Sequence, residues 1–220
     1  MSNFKEVEFK YNAKDIPRSL FDEAVRSLDS NIKKELCLFA SSENGKDSVD
    51  HYFSTDDDRF MRWREGQDKN GVKTWELTSK VKLNDSNNNI RDEVNITLNA
   101  RDMTIGKAKE FSDHHNCKYD FSIKKDVQIY WVDNIVLSHY TVFDIYGKEL
   151  NVFMEIEADE SYAWDSTEQA VDVISEWEKK LAPLGITYQH RIKKSLYEFY
   201  TGKTSITYEN LLETRNTSND

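Results

Sequence analysis

The chain has 220 residues, of which 38% are hydrophobic and 12% are aromatic, so it can bury a substantial core, and we expect one domain. Its formal charge of −10 argues against a protein that binds long nucleic acid, because a phosphate backbone normally requires a basic surface. Two cysteines, Cys37 and Cys117, exclude a disulfide framework, and no apolar run is long enough for a signal peptide or a membrane span. These features predict a cytoplasmic protein without a membrane partner.

The first predicted strand is EVEFKY, near the start of the chain. Strand side chains alternate between two faces, so one face of this strand is apolar and the other is entirely charged. The charged face carries Glu6, Glu8 and Lys10. A strand with a fully charged face needs a partner for those charges, and the later strands show what kind of partner to expect.

Three amphipathic helices are predicted from apolar residues at helical spacing. The first extends from Arg18 to about Lys34, and the second extends from Met103 to about His115. The third begins at the capping sequence that starts with Ser166. Each helix has an apolar stripe that must be buried against another element.

Strand-like runs fill the intervals between the helices: VDHYFST, RFMRWRE, TWELTSKVK and IRDEVNITL, then YDFSIKK, VQIYWV, IVLSHYTVFDI and VFMEIEA. Asp133-Asn134 is predicted to form a hairpin turn. So many short antiparallel strands predict an α+β fold in which a sheet closes into a barrel. We expect one domain over residues 1–205 and a flexible tail over residues 206–220, where the sequence ends in ETRNTSND.

The alternation test finds charged faces on the later strands as well. Pairs of like charge share a face at Arg62 and Arg64, at Lys80 and Lys82, and at Glu155 and Glu157, while Arg91, Glu93 and Asn95 share the face of another strand. In most half-buried sheets such a face contacts water. Here the three helices need the apolar strand faces as partners, and if they cover the outside of the barrel the charged faces turn inward.

An inward set of charges has to be neutralised, because removing an ion from water costs several kcal/mol. Opposite charges across the lumen can do part of this. The grouping also suits two ligands of opposite charge, since paired carboxylates bind a hard divalent cation and clustered arginines and lysines bind phosphate oxygens. A water-filled tunnel is therefore expected.

The sequence EVEFK resembles the Glu-X-Glu-X-Lys signature of the CYTH superfamily, the triphosphate tunnel metalloenzymes, which include class IV adenylate cyclases, thiamine triphosphatases and inorganic triphosphatases. Further pieces resemble family elements in the family's order: FMRWRE, LTSK, RDEVN, FDIYG followed by FMEIE, and SLYEF. The resemblance extends from Glu6 to about Tyr200. One short motif is weak evidence, but six elements in order are strong evidence.

This resemblance implies an eight-stranded antiparallel β-barrel, the triphosphate tunnel, with helices packed on the outside, a triphosphate ligand and Mg²⁺ or Mn²⁺ as cofactor. By position, the implied metal ligands are Glu6, Glu8, Glu155 and Glu157. The predicted phosphate-binding residues are Lys10, Arg62, Arg64, Lys80, Lys82, Arg91 and Lys125. The predicted catalytic residues are Glu93, Lys80 and Arg64, with Glu93 preparing a water for attack.

Two positions depart from the family pattern. Asn95 stands where a second glutamate is usual, and Val127 stands where an arginine is usual. Lys124 compensates for Val127 only if its strand is shifted or bulged. Both departures affect turnover more than fold.

The predicted function is metal-dependent hydrolysis of a small-molecule triphosphate by a monomer or homodimer. Inorganic triphosphate, thiamine triphosphate, nucleoside triphosphates and an RNA 5′ end remain open as substrates. One alternative is a class IV-type adenylate cyclase that produces cyclic AMP and pyrophosphate. The other alternative is a catalytically weak module that binds nucleotides or polyphosphate.

Overall fold

The computed structural model describes residues 6–28, 33–36, 40–41, 46–55, 59–67, 73–82, 89–98, 102–204 and 206–217. Within these ranges, only the backbone is described at residues 33–36, 40–41, 46–47, 67, 73, 81–82, 89–93 and 216–217. No helix among the described residues is long and apolar enough to cross a membrane.

Strands dominate the described part of the chain. The strands are β1 (Glu6–Asn12), β2 (Lys33–Leu36), β3 (Ala40–Ser41), β4 (Lys46–Ser54), β5 (Phe60–Gln67), β6 (Lys73–Lys82), β7 (Asn89–Leu98), β8 (Lys118–Val132), β9 (Ile135–Phe143), β10 (Glu149–Ala158) and β11 (Arg191–Ile192). The helices are α1 (Arg18–Leu28), α2 (Ile105–His114), α3 (Thr167–Leu181), α4 (Leu196–Tyr200) and α5 (Tyr208–Thr217).

Eight strands pair in a ring around a central lumen. The order is β8, β9, β10, β1, β7, β6, β5 and β4, and β4 pairs again with β8. Every pairing is antiparallel, and the β1–β7 pairing is short, from Glu6 opposite Arg91 to Glu8 opposite Asn89. The predicted α+β antiparallel tunnel fold is thereby confirmed.

Helices cover much of the outer surface of the sheet. Apolar residues of β1, β8, β9 and β10 pack with α1 and α3 in one core, which includes Val7, Phe9, Phe21, Ile174 and Trp177. A second outer core lies where α2 and α5 meet β4, β5 and β6. Because strand side chains alternate, burying these apolar faces outward directs the charged faces into the lumen.

Strand β7 is an exception to this arrangement. The sequence pattern predicts that the strand face bearing Val94 packs against a helix, yet Val94 is 61% exposed and Ile96 on the same face is 47% exposed. That part of the prediction is wrong, because none of the described helices covers β7 at these two positions.

Several predicted boundaries also change. The first helix ends at Leu28, and residues 33–36 form β2 beside β8 instead of continuing the helix. The runs YDFSIKK and VQIYWV form one continuous strand, β8. The predicted hairpin turn is present between β8 and β9, with Asp133 in the left-handed region at φ 53°.

The C-terminal segment differs from its prediction. Residues 206–220 were expected to form a flexible tail, but α5 occupies much of this segment, and Leu211 is 2% exposed in the second outer core. Arg215 of α5 also pairs with Glu65 of β5. The polar composition of the last residues concealed a helix that Leu211 anchors in this core.

Candidate functional site

The lumen contains a cavity of about 250 Å³. Side chains of both charges line it. The described cationic residues that line it are Lys10, Arg62, Arg64, Lys80 and Lys125. The described carboxylates that line it are Glu6, Glu8, Glu76, Glu155, Glu157 and Glu160. The structure therefore brings together all four predicted metal ligands and five of the predicted phosphate-binding residues.

The predicted metal ligands occupy one wall of the lumen, formed by the neighbouring strands β1 and β10. Glu8 lies opposite Glu157, and Lys10 lies opposite Glu155. The ammonium group of Lys10 is 2.8 Å from Glu8 Oε1 and 3.0 Å from Glu155 Oε1. The hydroxyl of Tyr140 donates a 2.6 Å hydrogen bond to Glu155 Oε1. One lysine thus forms ion pairs with two of the carboxylates and balances one of their two charges.

The other two carboxylates of this wall have different surroundings. Lys80 Nζ comes from β6, the strand on the other side of β7, and lies 2.7 Å from Glu6 Oε1. Burial raises the pKa of Glu157 well above its ordinary value, and the negative charges of Glu6, Glu8 and Glu155 raise it further. The ionised form of Glu157 is therefore disfavoured, although the charge of Lys80 partly offsets this effect.

A second wall, formed by β4, β5 and β8, carries the basic residues. Arg64 donates to the Asp50 carboxylate through Nε at 2.7 Å and through Nη2 at 3.2 Å. Lys125 Nζ lies 2.7 Å from Asp50 Oδ2. Arg62 donates to Glu76 Oε1 at 3.0 Å and to Thr78 Oγ1 at 2.8 Å.

Burial by itself would raise the pKa of Asp50, but the charges of Arg64, Lys125 and Arg62 hold it well below its ordinary value. Burial lowers the pKa of Lys125 to about 8; the charge of Asp50 opposes this shift, and the charges of Arg64 and Arg62 add to it. Asp50 is therefore ionised at neutral pH, and Lys125 titrates near physiological pH.

Asp50 and Glu76 are site residues that the sequence analysis missed. The period-two signal was present for both, because Asp50 shares a face with Ser48 and Tyr52, and Glu76 shares a face with Thr78 and Lys80. Each is the lone acid on its face of the strand, so neither matches the paired carboxylates of a metal site. Their proximity to the arginines depends on strand pairing, which places Asp50 and Glu76 on opposite sides of Arg64.

The two departures from the family pattern both face the lumen. Asn95 accepts a 2.7 Å hydrogen bond from Thr78 Oγ1, and Val127 lines the cavity with Lys125. Lys124 alternates to the other face of β8 and is not a lining residue, so it does not replace the missing arginine.

Three predicted site residues have side chains outside the described part of the chain. They are Lys82, Arg91 and Glu93. The described backbone pairs Glu93 with Lys80, and Arg91 with both Lys82 and Glu6. Their assigned roles remain predictions.

Aromatic side chains fill one end of the barrel interior. Tyr52, Phe60, Phe121 and Phe153 form an inner cluster with the short helix α4. Tyr197 of α4 stacks on Phe60 with ring centroids 4.6 Å apart. The rings in this cluster pack on one another, so the aromatic C-terminal element closes one end of the lumen.

The carboxylate wall fits a hard divalent cation by its chemistry, because such ions prefer oxygen ligands. The placement of Glu6, Glu8, Glu155 and Glu157 on two paired strands around one cavity is the observation that supports this fit. Among the described residues, no three His, Cys, Asp or Glu side chains are already gathered in a metal-binding arrangement. Lys10 and Lys80 hold three of the four carboxylates, so binding a cation requires these ion pairs to rearrange.

Solved structures with the same fold include two archaeal proteins and one bacterial protein. The PH1012 protein of Pyrococcus horikoshii superposes with a TM-score of 0.62 at 18% identity, over 86% of this chain and 96% of its own. A conserved hypothetical protein of Pyrococcus furiosus has a TM-score of 0.59 at 23% identity, over 88% of this chain and 98% of its own. A protein of Vibrio parahaemolyticus proposed to be an adenylate cyclase has a TM-score of 0.55 at 16% identity, over 96% of this chain and 99% of its own.

At these identities the likeness shows the fold alone. It agrees with the CYTH-type tunnel fold that the sequence resemblance implied. No protein-family model matches the chain, and no curated protein sequence matches it. Substrate and reaction therefore have to be inferred from the residues of the lumen.

Proposed function

We propose that the chain is a divalent-metal-dependent triphosphatase. The observation that carries this proposal is the division of one small lumen into a carboxylate wall on β1 and β10 and a basic wall on β4, β5 and β8. Such a lumen suits a polyanion that arrives with a hard cation. Arg62, Arg64 and Lys125 bind phosphate oxygens, while Glu6, Glu8, Glu155 and Glu157 hold Mg²⁺ or Mn²⁺.

The size of the cavity favours a compact substrate. Its volume of about 250 Å³ lies below the range of roughly 300–1,000 Å³ that is usual for drug-sized ligands. Phe60 and Tyr197 line the closed end of the cavity and stack on each other, so one face of each ring is already covered. Inorganic triphosphate therefore fits this lumen better than a nucleoside triphosphate.

Positioning and charge neutralisation account for most of phosphoryl-transfer catalysis. The basic wall holds the phosphate chain, and Arg64 of this wall together with Lys80 of β6 offsets the charge that builds on the phosphate oxygens. When bound, the divalent cation supplies Lewis-acid stabilisation of that charge. Glu93 accepts a proton from water as the water oxygen bonds to the terminal phosphorus. The anhydride bond breaks, which releases orthophosphate and diphosphate.

The test is a substrate panel with Mg²⁺ or Mn²⁺, containing inorganic triphosphate, thiamine triphosphate, ATP and an RNA 5′ triphosphate. Orthophosphate, pyrophosphate and cyclic AMP are each quantified. We expect orthophosphate from inorganic triphosphate, lost with a chelator and lost in Arg64→Ala. Cyclic AMP from ATP would replace this function with a cyclase. Tight binding of triphosphate without any product would replace it with a binding module.

A further inference from the structure

Asp50 is a buried carboxylate that the proposed mechanism does not use. It lies on β4 directly opposite Arg64 of β5, and its other neighbour in the sheet is Ile123 of β8. Asp50 is 0% exposed, and it is not among the residues that line the cavity. A ligand in the lumen thus meets Arg64 and Lys125, and Asp50 lies behind them.

The contacts of Asp50 fix the direction of the Arg64 guanidinium. Asp50 binds Nε and Nη2, which form one edge of that planar group. The remaining nitrogen, Nη1, lies 3.6 Å from Glu76 Oε1 on the lumen side. A two-point contact of this kind restrains both the position and the plane of an arginine.

The second contact of Asp50 concerns the charge of Lys125. Lys125 is 7% exposed, and burial opposes its positive charge. Among the described residues, the charged and titratable groups that face it are Asp50 of β4, Arg62 and Arg64 of β5, and Tyr140 of β9. Both arginines favour loss of its proton, so Asp50 is the anion that favours its retention.

We propose that Asp50 is a positioning residue of the anion site, which orients Arg64 and keeps Lys125 protonated for phosphate binding. This inference rests on the proposed function. Although Asp50 is an anion, it strengthens anion binding, because two cations share its charge and both lie between it and the ligand. A purely structural role would affect stability and leave the pH dependence of ligand binding unchanged.

The test is the binding of inorganic triphosphate to the full chain, measured by calorimetry with a chelator present. Asp50→Asn preserves shape and removes the charge. Glu178→Gln is the matched control, because Glu178 is also buried and accepts two hydrogen bonds from an arginine, Arg191, but it lies outside the lumen. Triphosphate itself also gains and loses protons with pH, but this contribution is the same for every variant. It therefore cancels when the affinities of two variants are compared at the same pH.

In the natural protein, affinity is expected to fall as pH rises through about 8, the pKa of Lys125. In Asp50→Asn the fall moves to lower pH. At about pH 8 this variant binds at least about tenfold more weakly than the natural protein, the scale of one charge-assisted hydrogen bond. At about pH 6, where Lys125 stays protonated, the difference narrows to about threefold or less. Glu178→Gln keeps the natural affinities and pH profile.

A natural affinity and a natural pH profile in Asp50→Asn would overturn the positioning role. An equal loss of affinity at every pH would overturn the part of the inference that concerns the charge of Lys125, because the orientation of Arg64 does not depend on pH. If Asp50→Asn does not fold, Lys125→Met tests whether the charge of Lys125 causes the pH dependence of binding, because this variant leaves the Asp50–Arg64 pair intact. Lys125→Met is expected to bind more weakly, with no fall in affinity between about pH 7 and about pH 9. A natural pH profile in Lys125→Met would refute the inference. Failure of the natural protein to bind triphosphate would instead refute the proposed function.

Discussion

Replacing Glu157 with glutamine is expected to stabilise the metal-free protein at neutral pH. Burial and the charges of Glu6, Glu8 and Glu155 raise the pKa of Glu157 well above its ordinary value. The folded protein therefore retains a proton that the unfolded chain has already released. Glutamine resembles the protonated acid in size and polarity, and it does not ionise.

The size of this effect follows from proton linkage. Where the folded state binds one more proton than the unfolded state, the free energy of unfolding falls by up to about 1.4 kcal/mol for each unit of rising pH. This loss begins near the ordinary carboxyl pKa and ends at the raised one. Between about pH 5 and about pH 7 the free energy of unfolding of the natural protein falls by up to about 2.7 kcal/mol because of Glu157. The Glu157→Gln variant does not undergo this fall. For a chain of this size, that difference corresponds to roughly 5–10 °C in Tm.

The assay is thermal unfolding of both proteins in a chelator from about pH 5 to about pH 8. Glu178→Gln is a control in which the change in stability should have the opposite sign. Arg191 and Tyr11 hold the pKa of Glu178 below its ordinary value, although burial acts to raise it. Its replacement is expected to destabilise the protein at neutral pH. Adding Mg²⁺ or Mn²⁺ is expected to raise the Tm of the natural protein more than that of Glu157→Gln.

A difference between Glu157→Gln and the natural protein that stays constant across this pH range would refute the reasoning. It would mean that Glu157 ionises like an ordinary carboxyl and that the neighbouring carboxylates do not act on it. An equal rise of Tm with metal in both proteins would remove Glu157 from the metal site.

Three further predictions concern separate parts of the chain. Glu93→Gln is expected to lower kcat for triphosphate hydrolysis by about a hundredfold, the scale of losing a general base, with little change in binding affinity by calorimetry; an unchanged kcat would exclude Glu93 as the base. Leu211→Ala is expected to lower the free energy of unfolding in urea by about 2–4 kcal/mol, because Leu211 anchors α5 in a core; no change would mean that α5 contributes nothing to stability. Tyr197→Ala removes the ring that stacks on Phe60, and it is expected to raise the affinity for ATP relative to inorganic triphosphate; an unchanged ratio would mean that α4 does not restrict the lumen.

Period-two alternation, together with three helices that need apolar strand faces as partners, predicted the inner face of the sheet. It placed Glu6, Glu8, Arg62, Arg64 and Lys80 in one lumen because a strand has only two faces, and burying the apolar face fixes the direction of the other. The helix α3 was also predictable, since its cap at Ser166 and its apolar stripe are both local signals.

Local signals failed where partners came from distant parts of the chain. The sequence analysis predicted a helix over Val94 and no structure in the tail, and both predictions differ from the structure. Which strand a helix covers, and where Leu211 docks, depend on residues far away in the chain. The same limit applies to the ligand chemistry of the site. The sequence determined which charges face the lumen, but only the tertiary structure decided which charges meet. It placed Asp50 behind Arg64 and Lys125 and crowded Glu157 among three other carboxylates, because both arrangements depend on distances across strand pairs that are far apart in the chain.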